Sequence, residues 1–98
     1  MTQTIPLLAT ASQTLSVRLG GQSCVIHVYQ VSTGLYVDLY RSDELIVGGV
    51  VARNGVRLVR DAYFGFAGDL AFVDTQGSDD PEASGLGTRW ILAYAEAP

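Results

Sequence analysis

Apolar residues return at every second position in stretch after stretch of this chain, and a period of two fits strands and not helices. Leu15, Val17 and Leu19 alternate with Thr14, Ser16 and Arg18. Cys24, Ile26 and Val28 fall on one face of the next stretch, with Val25, His27 and Tyr29 on the other. Both of its faces are largely apolar, which places this strand inside a sheet. Leu35, Val37 and Leu39 then alternate with Tyr36, Asp38 and Tyr40, predicting an antiparallel hairpin with the preceding strand. Gly20-Gly21, Ser32-Thr33-Gly34 and Ser42-Asp43-Glu44 supply the turns.

The pattern continues with breaks. Leu45 to Arg53 reads as a strand whose Gly48-Gly49 pair predicts a bulge. Asn54-Gly55 is a strong hairpin signal, with Val56 to Arg60 expected as the returning strand. From Asp61 to Asp69 the glycines oppose a helix, and an irregular connection anchored by Tyr63, Phe64 and Phe66 is expected. Leu70 to Asp74 and Thr88 to Ala95 read as strands, with Trp90, Leu92 and Tyr94 on one face of the latter. Together these features predict an all-β fold, a small antiparallel β-sandwich or partly open β-barrel of about six to seven strands. The expected organisation is a single domain over residues 1–98 with an extended N-terminal arm over 1–12. At 98 residues such a domain buries roughly 64% of its unfolded surface, enough for one core without staples.

Composition narrows the function classes. With 48% hydrophobic and 16% charged residues, the chain is not of the disordered type. A net charge of −4 argues against direct nucleic-acid binding. All six basic residues are arginine, a side chain suited to interfacial ion pairs. The single cysteine, Cys24, excludes an internal disulfide framework, and the single histidine, His27, excludes two-histidine metal motifs. The start, Met1-Thr2-Gln3-Thr4, has no basic region of a leader, and the longest apolar run, Leu45 to Ala52, is too short to span a bilayer. The expectation is a protein made in the cytoplasm with Cys24 reduced and no membrane contact.

Four features of the sequence are of types that can carry chemistry. Asp74, Asp79, Asp80 and Glu82 crowd carboxylates around one loop, but their spacing fails the calcium-loop pattern. Asp79-Asp80-Pro81 reads as turn chemistry. His27 lacks a nucleophile in a recognisable local setting, and Cys24 lies among apolar strand residues, as inert thiols do. Tyr29, Tyr36, Tyr40, Trp90 and Tyr94 are of the type that forms sugar platforms, although strand aromatics more often pack in cores or cross-strand pairs. The expectation is no catalytic residue, no metal and no cofactor.

Four stretches carry a family resemblance. They are Gln13-Thr14-Leu15; Ser32 to Tyr36 with Asp38-Leu39-Tyr40; Arg57 to Arg60 leading to Tyr63–Leu70; and Phe72 to Pro81, closing with Gly85-Leu86-Gly87-Thr88-Arg89-Trp90. In these the chain resembles the baseplate plug family of contractile-tailed bacteriophages and related prophages. The likeness spans nearly the whole chain. It implies a structural virion protein at the centre of the tail baseplate, closing the tail channel at the hub. It further implies hub, spike and tube-end proteins as partners, and assembly in the bacterial host cytoplasm. A component on the tail axis is expected to form a homo-oligomer of three-fold or six-fold symmetry. The rival readings are a small β-type carbohydrate-binding module and a small hydrolase with the acidic loop as its active site.

The long loop from Thr75 to Gly87 is the candidate subunit-interface element, because loops of this length in small domains are usually functional or disordered. Its expected interface residues are Asp74, Gln76, Asp79, Asp80, Pro81 and Arg89. Asp74 before it and Arg89 after it are placed to pair across its base.

Overall fold

The computed structural model describes residues 2–59 and 68–95. The strands are β1 (Thr2–Ile5), β2 (Ser12–Leu19), β3 (Gln22–Val31), β4 (Gly34–Arg41), β5 (Glu44–Val51), β6 (Asp69–Asp74) and β7 (Trp90–Ala95). They form two antiparallel sheets, a four-stranded one in the order β2-β3-β4-β5 and a three-stranded one in the order β1-β7-β6. The sheets do not close into a barrel, so the architecture is the sandwich of the two expected forms.

The four-stranded sheet follows from the period-two pattern. β2 and β3 pair without a break from Ser12↔Tyr29 to Leu19↔Gln22 around Gly20-Gly21. Both glycines have positive φ, 56° and 77°, as a two-residue hairpin turn requires. β3 is central, with Cys24, Ile26 and Val28 turned inward against Leu35, Val37 and Leu39 of β4. β5 carries the expected irregularity. Val37 pairs with Val50, Leu39 with Val47 and Tyr40 with Leu45, so β5 holds an extra residue twice. The Gly49 amide released there donates to Asp38 Oδ1 at 2.6 Å.

The inner face of the other sheet supplies Leu70, Phe72, Trp90, Leu92 and Tyr94, all buried, to the same core as the four-stranded sheet. Within the segment expected to be an extended arm, Thr2–Ile5 is β1, paired with β7 from Thr2↔Ala95 to Ile5↔Leu92. Ile5 and Leu7 are buried. That stretch therefore lies in the sandwich.

One strand expectation fails. Asn54-Gly55 does not turn the chain back along β5, and Val56–Val59 is not a strand. Instead the chain crosses to the free edge of β6. The Gly55 amide donates to Phe72 O and the Leu58 amide to Leu70 O, both at 2.8 Å. Leu58 and Val59 are buried there, and burying them on the second sheet outweighs the local hairpin preference. Arg60 and the anchors Tyr63, Phe64 and Phe66 lie outside the described residues.

Candidate functional site

The β6–β7 loop starts where the strand ladder ends. Asp74 closes β6 opposite Trp90, and the Thr75 amide and hydroxyl both donate to Arg89 O, at 2.8 and 2.6 Å. Arg89 then turns back over the loop base. Its Nε donates to Asp74 Oδ1 at 2.9 Å and its Nη2 to Asp74 Oδ2 at 2.8 Å, the two-pronged geometry that a guanidinium and a carboxylate favour. The same Nη2 reaches Asp79 Oδ2 at 2.9 Å. The guanidinium carbon stands 4.5 Å from the Trp90 ring centroid, within cation–π range.

Asp74 is the hub of this base. The amides of Gln76 and Asp79 donate to its two oxygens, each at 2.9 Å, so it accepts from two backbone and two guanidinium donors. Its side chain is fully buried, while that of Arg89 is 30% exposed. The hydrogen bonds from Arg89, with help from the Gln76 and Asp79 amides, hold the Asp74 carboxyl well below the usual carboxylate range against the opposing effect of burial. Reciprocally, Asp74 and then Asp79 push Arg89 above its usual value. Trp90 Nε1 donates to Asp79 O at 3.0 Å, which satisfies the buried indole.

The far half of the loop is tied to the segment that follows β5 and to β3. Asp80 Oδ1 accepts from the Asn54 amide at 3.0 Å, and its other oxygen lies 3.8 Å from Arg53 Nη1. The Ala83 amide donates to Gln30 Oε1 at 3.0 Å. Pro81, Ala83 and Leu86 are buried, with a short 3₁₀ turn at Ala83–Gly85. At Gly87 the backbone has φ +82° and a Cβ would strike Leu7 O, so glycine alone fits between the loop and the β1–β2 connection.

The structure therefore sorts the six expected residues. Asp74, Asp79 and Arg89 form one network; Asp80 belongs to a second contact with Arg53 and Asn54. Asp74 and Pro81 face inward and shape the loop, while Gln76, Asp79 and Asp80 face solvent. Sequence reasoning missed Gln30 and Asn54. Asn54 Oδ1 accepts from the Asp74 amide at 2.8 Å, so this residue braces the loop from both backbone and side chain. Its place beside Gly55 read as turn chemistry and concealed that role.

The outer face of the four-stranded sheet gathers the other polar and aromatic candidates. Ser12 Oγ lies 3.3 Å from His27 Nε2, and His27 Nδ1 lies 3.5 Å from Asp38 Oδ2. This row stands on an open sheet face, whereas the depressions at the loop tip are lined by other residues. The Tyr29 ring lies 4.8 Å from the His27 ring and is stacked with that of Tyr36 at 6.0 Å. Burial, and Asp38 beside it, push the Tyr29 hydroxyl up. Trp90 and Tyr94 are core residues. Cys24 is buried too, and burial pushes its thiol up. Among the described residues no group of three or more His, Cys, Asp or Glu side chains is placed to hold a metal ion, and no helix is long and apolar enough to cross a membrane.

No curated protein matches the chain. A family model described as cyanophage baseplate Pam3 plug gp18 matches residues 2–97. That match covers all seven strands and the whole β6–β7 loop. With nearly the full chain matched, the protein belongs to this family of phage baseplate plug proteins.

Proposed function

We propose that this chain is a structural, non-catalytic protein of the virion that sits on the axis of the tail baseplate and closes the tail channel at the hub. The family match over residues 2–97 carries this reading. The partners it implies are the hub, spike and tube-end proteins, met in a homo-oligomer of three-fold or six-fold symmetry assembled in the host cytoplasm. The β6–β7 loop is the element that docks on a neighbour. Its base and tip are fixed on the domain, so its exposed residues are displayed at little entropic cost to binding.

Co-expression with the hub and spike proteins of the same virus, followed by electron cryomicroscopy of the complex, tests the reading. Density for this chain on the axis at the hub is expected. A chain that fails to enter the complex, or enters it off the axis, overturns it. For the loop, the paired variant Ser78→Arg/Glu82→Arg changes only exposed positions. It is expected to fold normally and to lose assembly, whereas normal assembly would reduce the loop to a connection.

A further inference from the structure

The two sheets have four edge strands, and three of these edges are short, irregular or occupied. β1 is only four residues long. β5 departs from regular register twice. The edge of β6 is taken by the Gly55 and Leu58 amides, which donate to Phe72 O and Leu70 O. β2 is different. It runs for eight residues in unbroken register with β3, contains no proline or glycine, and has no strand on its other side. Soluble proteins usually guard such an edge with bulges, prolines, several charges or a cover. β2 carries one charge, Arg18.

An antiparallel ladder alternates between residue pairs that exchange two hydrogen bonds and pairs that exchange none. The Gln30 amide donates to Ala11 O at 2.8 Å, which sets the phase along β2. With Ser12 opposite Tyr29 and Leu19 opposite Gln22, the residues that bond to β3 are Gln13, Leu15, Val17 and Leu19. Ser12, Thr14, Ser16 and Arg18 therefore turn their amides and carbonyls outward. Gln3 Nε2 reaches Arg18 O at 3.4 Å on that outer side. Among the described residues no other group bonds to this outward main-chain row. A row of alternate donors and acceptors at strand spacing is complementary to one kind of occupant, an extended chain segment.

Side chains and charge narrow the occupant further. Leu15 and Val17 pack against the core yet are only half-buried. A strand laid beside β2 covers them with its own apolar side chains at alternate positions. Arg18 is exposed and is the only Asp, Glu, Lys or Arg in residues 1–37, whereas residues 38–98 hold five arginines and all ten carboxylates. This edge is thus a carboxylate-free region of an acidic protein, and it favours an acidic segment. A second copy of β2 would bring Arg18 an arginine-bearing strand and no carboxylate, so charge favours a strand from a different protein.

We propose that the free edge of β2 docks an extended segment of a baseplate partner protein, apolar at alternate positions and with a carboxylate that meets Arg18. This rests on the baseplate reading above and names how the contact is made. The test measures binding to the hub and spike proteins of the same virus. Thr14→Pro removes an outward amide that β3 does not use, a place where an edge strand tolerates proline. Arg18→Glu reverses the exposed charge and leaves the main chain intact. Each variant is expected to weaken binding by about tenfold or more, the second most strongly at low salt. Hydrogen exchange resolved to single amides supplies a readout that does not depend on either variant folding. In the free chain the Gln13, Leu15 and Val17 amides should exchange slowly and those of Thr14, Ser16 and Arg18 fast. In the complex the second set should become slow as well. Variants that bind like the wild type, or outward amides that stay fast in the complex, overturn the strand contact and leave the baseplate reading standing. Outward amides that slow with rising concentration of the chain alone would put a second copy on the edge and overturn the foreign partner. A wild-type chain that binds neither hub nor spike overturns both.

Discussion

Arg89 meets the Asp74 carboxylate edge to edge, Nε to Oδ1 at 2.9 Å and Nη2 to Oδ2 at 2.8 Å, and the two residues sit at opposite ends of the chain's longest described loop. A lysine at this position would keep the charge and lose the fork. Arg89→Lys is therefore expected to lower the melting temperature, and Arg89→Ala to lower it further, because Asp74 then keeps a buried charge with only backbone donors. Trp90 reports the change, since Arg89 covers its ring and Asp79 O holds its Nε1. Unaltered melting and emission in both variants would contradict this account.

The pH dependence follows from the direction of the Asp74 shift. Its carboxyl is held ionised more strongly in the fold than in the unfolded chain. Its contribution is complete above the ordinary aspartate value of about 4 and is lost as the pH falls below it. Arg89 is shifted upward, so its contribution is complete at every pH below its ordinary value and adds no slope in the acid range. Urea titrations at pH 7 and pH 3 should show the native chain losing stability, and Asp74→Asn losing less of it over the same interval.

Two glycines separate backbone strain from collision. Gly21 and Gly87 both have positive φ, but a Cβ meets nothing within 4 Å at Gly21 and strikes Leu7 O at Gly87. Gly21→Ala is expected to cost about 1–2 kcal/mol, the ordinary penalty of a left-handed residue. Gly87→Ala should cost clearly more, since the Leu7 carbonyl belongs to backbone and cannot rotate away. Equal midpoints in chemical denaturation would refute the collision.

Asn54 offers a fourth test. Removing its side chain leaves the amide of Asp74 without its 2.8 Å partner. Asn54→Ala is expected to destabilise the fold by about 1–3 kcal/mol, the usual consequence of orphaning a half-buried donor. A neutral outcome would show that the amide finds another partner.

Cys24 provides a chemical clock for opening. The thiol is buried, and burial raises its pKa. Reaction with an aromatic disulfide reagent should be slow in the native protein and fast in urea. Rapid reaction under native conditions would mean that the β2–β3–β4 core opens readily.

Much of this structure was legible in the residues. The alternation at Leu15–Leu19, Cys24–Val28 and Leu35–Leu39 reports burial on one face, and burial is what a sheet obeys. Gly48-Gly49 announced the disturbance in β5 because only an irregular strand tolerates that pair so readily. Asn54-Gly55 misled for a physical reason. Local turn preference is worth little beside the burial of Leu58 and Val59 on the other sheet, and no local window contains β6. The pairing of Asp74 with Arg89 was readable from their positions flanking the loop. The burial of Asp74, and the inward turn of Pro81, were not, because both depend on Gln30 and Asn54 reaching the loop from twenty or more residues away.

The two extra residues in β5 have a bearing on how copies can meet. An edge strand broken twice is a poor template for a strand from another chain. Such an edge discourages a neighbour from extending the sheet, and one that docked there would hold on through side chains and turns. A contact of that kind comes apart one surface at a time, with no main-chain zipper to tear, and it leaves each sandwich whole after separation.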